Sequence, residues 1–171
     1  MLAPSEHRLP PGERVTDALR DHLLRLLDWD EAHASFDKAV SGLPADQRGA
    51  RATGFEHSPW QLVEHLRIAQ ADILDFCVNP SYTHDRTWPD DYWPATAAPP
   101  DAAAWDASIG QHTHDLSAFK DLIRNQADLF APVPTGNATQ TYLRAVLLVA
   151  DHAAYHVGQL VAVRRALHAW N

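Results

Sequence analysis

Cysteine, glycine and positive charge are all scarce in this chain. One cysteine, Cys77, stands among 171 residues, which excludes an internal disulfide and a thiolate metal cluster. Seven glycines and the lack of any alternating β-branched run argue for an all-α chain. Lysine and arginine total 14 against 22 acids, a formal net charge of −8. With no basic cluster to offset it, that balance argues against nucleic acid as a partner. No apolar run approaches the ~20 residues of a membrane span, and Met1 to Glu13 lack a signal peptide's apolar core. A soluble cytoplasmic protein with no membrane partner is therefore expected. A Gly-rich phosphate loop, a nucleophile elbow and a paired-carboxylate motif are also missing.

What remains is ordinary globular composition, 46% hydrophobic and 21% charged, and long helix-period stripes. Residues 1 to about 14 carry Pro4, Pro10 and Pro11 and read as an extended arm. Thr16 is a candidate cap for a first helix reaching about Ser41. Its inward stripe would be Leu19, Leu23, Leu26, Leu27, Asp30, Ala34 and Val40, with Gly42 and Pro44 as the stop. Ser58-Pro59-Trp60-Gln61 is the clearest boundary: a capping serine, proline at the first helical position and glutamine completing a capping box. The second helix should run to about Val78. Asp101 can cap a third helix reaching about Gln126, and Thr139 or Thr141 opens a fourth that runs to Ala169. These elements predict one four-helix-bundle domain over residues 1–171, the first 14 forming the arm.

Two stretches carry chemistry. His152 and His156 are four apart in the fourth helix, at the edge of its apolar stripe, so they share one side and can grip a transition metal. With 11 histidines in the chain such a pair is weak by itself. His65 lies at the matching edge of the second helix, and in a bundle it could converge with them. Three imidazoles leave one coordination position open, as catalytic metal sites do. Gly158 would permit a close helix approach. Gln159, Asp151 and Asp72 are candidate acceptors for an imidazole N–H, although each is more simply a solvated polar residue. The second stretch, residues 79–100, is rich in proline and aromatics. Tyr82, Trp88, Tyr92 and Trp93 would plug one end of the bundle or wall a ligand pocket. His57 reads as a loop histidine, His112 and His114 face different ways, and Cys77 reads as a small buried residue.

The stretches 58–66 (Ser-Pro-Trp-Gln-Leu-Val-Glu-His-Leu) and 151–160 (Asp-His-Ala-Ala-Tyr-His-Val-Gly-Gln-Leu) resemble the DinB-like (YfiT-like) superfamily of bacterial four-helix bundles. The Trp-Pro-Asp-Asp-Tyr-Trp-Pro loop at 88–94 and Ala104-Trp105 are similar to a subgroup of it. The resemblance spans about residues 15–168. It implies a divalent transition metal on His65, His152 and His156, with zinc or nickel the first candidates, and a bundle joined by crossover connections. It also implies a homodimer, for which surfaces around Trp29, Trp60 and Trp170 are the candidates. Some members are transferases that use a low-molecular-weight thiol. The favoured reading is thus a metal-dependent enzyme, a thiol S-transferase or hydrolase acting on a small-molecule substrate. The alternative is a non-catalytic metal-binding or protein-interaction bundle. No residue stands out as catalytic apart from the metal set.

Overall fold

The computed structural model describes residues 11–170, and their side chains from residue 16 onward. Helix α1 spans Pro11–Leu26, α2 Phe36–Val40, α3 Pro59–Val78, α4 Ala102–Asn125 and α5 Tyr142–Ala166. Two single 3-10 turns, Ala45–Gln47 and Asp90–Tyr92, interrupt the connections. There is no strand among the described residues, only an isolated bridge between Pro132 and Thr141. The chain is an all-α bundle of four long helices and one short one.

Local chemistry sets most of the boundaries. Ser58 Oγ accepts from the Gln61 N–H at 3.2 Å and Gln61 Oε1 accepts from the Ser58 N–H at 3.2 Å. This reciprocal box satisfies two donors that a helix start leaves bare. Asp101 caps α4 through the Ala104 N–H at 2.7 Å, and Thr141 caps α5 through the Arg144 N–H at 3.2 Å. Leu167 closes α5, and His168 follows it with a left-handed φ of 57°.

The expected first helix is broken. It starts at Pro11, so Thr16 lies inside it and is not its cap, and residues 11–14 belong to a helix instead of an arm. The rest of the predicted arm lies outside the described residues. The helix stops at Leu26, and α2 restarts at Phe36 under a cap from Ser35, whose Oγ accepts from the Lys38 N–H. Asp28, Asp30 and Glu31 place negative charge at a helix C-terminus, where the macrodipole opposes it. Asp30 is consequently exposed and not inward-facing.

Helix α3 packs against α4 and α5, while α1 also packs against α4 and α5. The helices therefore run around the bundle as α1, α4, α3, α5, which places α1 across from α3 and α4 across from α5. Two of the connections, 27–58 and 126–141, cross between these diagonal partners, in agreement with crossover connectivity. Helix α5 is long and apolar enough to cross a membrane by length and composition alone. The sequence predicts no membrane-spanning run, and in the fold α1, α2 and α3 pack against this helix.

The buried apolar residues form two clusters. One gathers Trp60, Leu62, Val63, Leu66, Trp105, Val157, Leu160 and Val163 with α2. The other gathers Leu23, Phe119, Ile123, Val146 and Val149 with Cys77. The tryptophans offered as a dimer surface are largely covered within the chain: Trp60 is buried against Trp105, and Trp29 and Trp170 are half-buried. Arg164 on α5 is buried without a carboxylate partner among the described residues. Its guanidinium donates to the carbonyls of Ala39 at 2.6 Å, Ser41 at 2.9 Å and Ala169 at 2.7 Å, which fixes α2 and the end of α5 together. Replacing Arg164 with Leu should lower stability by about 1–3 kcal/mol, because the buried Ala39 carbonyl loses its donor. The urea midpoint of the variant reads this; an unchanged midpoint would show that the three carbonyls find other partners.

Candidate metal centre

His65 comes from the buried side of α3, and His152 and His156 come one turn apart from α5, which packs against it. The ring nitrogens available from the three lie within 4.8 Å of one another. His65 Nε2 and His152 Nε2 are 3.0 Å apart. The rings meet edge-on, at 65° for His65–His152, 76° for His65–His156 and 73° for His152–His156. Bonds of about 2.0–2.1 Å to a tetrahedral ion separate its ligands by roughly 3.4 Å. The three imidazoles are therefore close enough to hold one metal ion. No other such group occurs among the described residues.

The hydrogen bonds around the cluster select the tautomer. His65 Nδ1 lies 2.8 Å from the Tyr92 carbonyl oxygen, which can only accept, so Nδ1 carries the proton and Nε2 keeps its lone pair. His156 Nδ1 donates to Gln159 Oε1 at 2.7 Å. The Gln159 amide is oriented in turn by its own N–H donating to Tyr155 OH at 3.1 Å. Supports of this kind are what metal-ligating histidines require. Burial keeps all three rings unprotonated: it lowers the pKa of His65 and of His152 to about 4 and depresses that of His156.

The aromatic segment reaches the site through two residues. Trp93 lies flat on His65, with ring centroids 3.8 Å apart and planes at 2°. Its other stacking partner is His57, also at 3.8 Å. Tyr92 is buried, and its hydroxyl donates to Asp72 Oδ2 at 2.6 Å while its carbonyl holds His65. At the far end of the segment Ser58 Oγ donates to the Ala97 carbonyl. Gly49 lies so close to Ala98 that a Cβ would fall 2.4 Å from the alanine methyl, so only glycine fits there.

Several expected roles change. Asp72 accepts no imidazole N–H; it binds the hydroxyls of Tyr92 and Tyr82 and acts on His65 only through the Tyr92 backbone. Asp151 is exposed and partners none of the three rings among the described residues. Gly158 sits beside open space, with nothing within 4 Å of a built Cβ, so it permits no close helix contact. Tyr82 packs edge-on against Phe76, outside the wall of the site. Trp88 stands 62% exposed, its centroid 6.2 Å from that of His65. His57, read as a loop histidine, reaches the site through Trp93; its position one residue before the Ser58 cap was the available signal. Cys77 is buried, and burial raises its pKa to about 12, so it is no nucleophile.

A cavity of about 580 Å³ borders His156, with Phe55, His57, Trp93, Tyr155 and Gly158 in its wall. Gly158 lies in its wall, where a side chain would meet nothing within 4 Å.

The model of the DinB superfamily matches residues 28–160, a span that contains the aromatic segment and all three histidines. No curated protein and no solved structure matches the chain.

The depressed pKa values carry a stability consequence. Each ring titrates from about 4 to below 6.5 when folded and near 6.5 when unfolded, so within that window the unfolded chain binds more protons. Stability of the metal-free protein is therefore full above about pH 6.5 and is lost progressively as pH falls toward about 4. Urea midpoints in chelator should fall across that window, and His152→Ala should flatten the slope. Equal slopes for the two proteins would contradict buried neutral imidazoles. Proton competition for a metal in the folded protein should set in only as pH approaches the lowered ring values, about 4 for His65 and His152.

Proposed function

The chain belongs to the DinB superfamily, and from that premise we propose that it is a metal-dependent S-transferase joining a low-molecular-weight thiol to a small electrophile. One observation carries the reading. Three imidazoles, two of them with the second nitrogen already donating, converge with no fourth ligand side chain in the group, and one of them, His156, stands in a cavity wall. A structural site would normally be closed by four protein ligands. Bound there, a divalent ion such as zinc or nickel supplies Lewis acidity, which lowers the pKa of a thiol or water taking the open position.

The chain's own residues do the rest. The Tyr92 carbonyl and Gln159 fix two of the rings in the Nε2-free tautomer. Trp93 covers the flat face of His65 and shields it from water on that side. Phe55, Trp93 and Tyr155 offer apolar surface for the body of a substrate. His57 faces the same cavity with its pKa lowered, chiefly by burial. It stays unprotonated near neutral pH and is placed to accept the proton an incoming thiol gives up.

To test the proposal, the metal-free protein is loaded with zinc or nickel and given a panel of small thiols with an epoxide or chlorinated electrophile. Turnover should need both metal and thiol and should vanish in His152→Ala and His156→Ala. Gln159→Ala, which frees a ring without removing a ligand, should lower metal affinity about 10–100-fold. Stoichiometric metal uptake without turnover for any thiol would overturn the transferase and favour the non-catalytic metal-binding bundle.

A further inference from the structure

A second cavity, of about 440 Å³, lies on the opposite side of α5 from the metal-side cavity. Ala150, Ala153, Ala154 and Val157 form its α5 wall, whereas Tyr155, His156, Gly158 and Gln159 face the other one. The coil between α1 and α2 and the middle of α4 complete it. Its size falls within the range of about 300–1,000 Å³ of small-molecule pockets. Its walls are mostly aliphatic and aromatic.

Two polar side chains in this wall have nothing to bond among the described residues. His112 is only 2% exposed, yet neither Nδ1 nor Nε2 has a partner there. The Trp29 indole N–H is likewise buried and unpaired. A buried donor left unmade costs about 1–3 kcal/mol, and native proteins leave few, usually where a water or ligand belongs. Burial pushes the His112 pKa down to about 4, so the ring is neutral and offers one donor and one acceptor. At the mouth, Asp28 and Lys120 pair at 2.5 Å and cancel each other's charge. Phe36 stacks on the His112 ring at 3.8 Å and lines the same cavity, so turning its ring aside joins the imidazole to the space.

We propose that this cavity is a second binding site, independent of the three-imidazole cluster, for an uncharged and largely apolar small molecule. Its one hydroxyl or carbonyl group pairs with His112 and Trp29. Apolar bulk fills the space against α5, and one oxygen serves both the indole N–H and the imidazole.

Phenol and toluene, alike in shape and different by one hydroxyl, are the probes. Calorimetry on the full chain should show saturable binding of phenol, several-fold and up to about tenfold tighter than toluene, the worth of one hydrogen bond. His112→Leu should reduce that preference, since only the indole N–H is left to meet the hydroxyl. Ala32→Trp, at an exposed wall residue, should abolish both by filling the cavity. If His112→Leu fails to fold, Trp29→Phe removes only the indole donor and should reduce the preference. Binding of phenol should survive chelator and His156→Ala. Three results would overturn the proposal: no saturable binding of either probe, as for a cavity holding only water; an undiminished preference in folded His112→Leu; or phenol binding lost in His156→Ala but kept in Ala32→Trp.

Discussion

Neutral imidazole packed between helices imposes a condition on everything around it: the ring must stay unprotonated, and its second nitrogen must find a partner without consuming the first. His65 meets this through the carbonyl of Tyr92, and His156 through the side chain of Gln159. The first solution draws in the 79–100 connection, because the carbonyl is held in place by the Tyr92 hydroxyl on Asp72. Asp72 stands nearly two turns beyond His65 on the same helix. One helix thus supplies both the ring and the anchor for the loop that orients it. The aromatic segment is more than a plug. Its backbone is part of the site's hydrogen bonding, and Trp93 forms its wall.

The same condition explains the layering of the bundle. The two apolar clusters are separated by a polar level in which α3 contributes His65 and Gln70, α4 contributes Ser108, His112 and Asp115, and α5 contributes His152 and His156. Such a layer is expensive unless its groups are satisfied. On the α3–α5 side Tyr92 and Gln159 take up one nitrogen of His65 and of His156, and the nitrogens left over face one another. On the α4 side Gln70 donates to the His112 carbonyl at 2.7 Å, but the His112 ring, Ser108 Oγ and one Asp115 oxygen remain without partners. The two sides differ in what they leave open: converging imidazole nitrogens on one, and a His112 ring without a partner among the described residues on the other.

Much of this was legible in the sequence because it is local. Ser58, Pro59 and Gln61 mark a helix start within four residues, and the spacing of His152 and His156 is a property of any α-helix. The inward edge shared by His65 and that pair follows from periodicity. The break after Leu26 was not legible, since a continuous stripe from Leu19 to Val40 also fits a helix. Acids at the helix end and a competing cap at Ser35 decide it. Tyr92 could not be identified as a support for His65, because its contribution is a backbone carbonyl, which every residue has. His112 was passed over by pairing it with His114. The signal was present in a different register: Trp105, Ser108, His112, Asp115 and Phe119 repeat at three and four, so the three polar residues continue an apolar stripe.

If His65, His152 and His156 form one metal centre with an open position, the metal-free, untagged protein titrated with Co²⁺ and followed by visible absorption should saturate at one equivalent. The spectrum should show nitrogen and oxygen ligation and no sulfur-to-cobalt charge-transfer band. Each single His→Ala replacement should weaken binding by more than about 100-fold, beyond what loss of a supporting residue does. Absence of a one-equivalent endpoint, or an endpoint that survives replacement of all three histidines, would contradict such a centre.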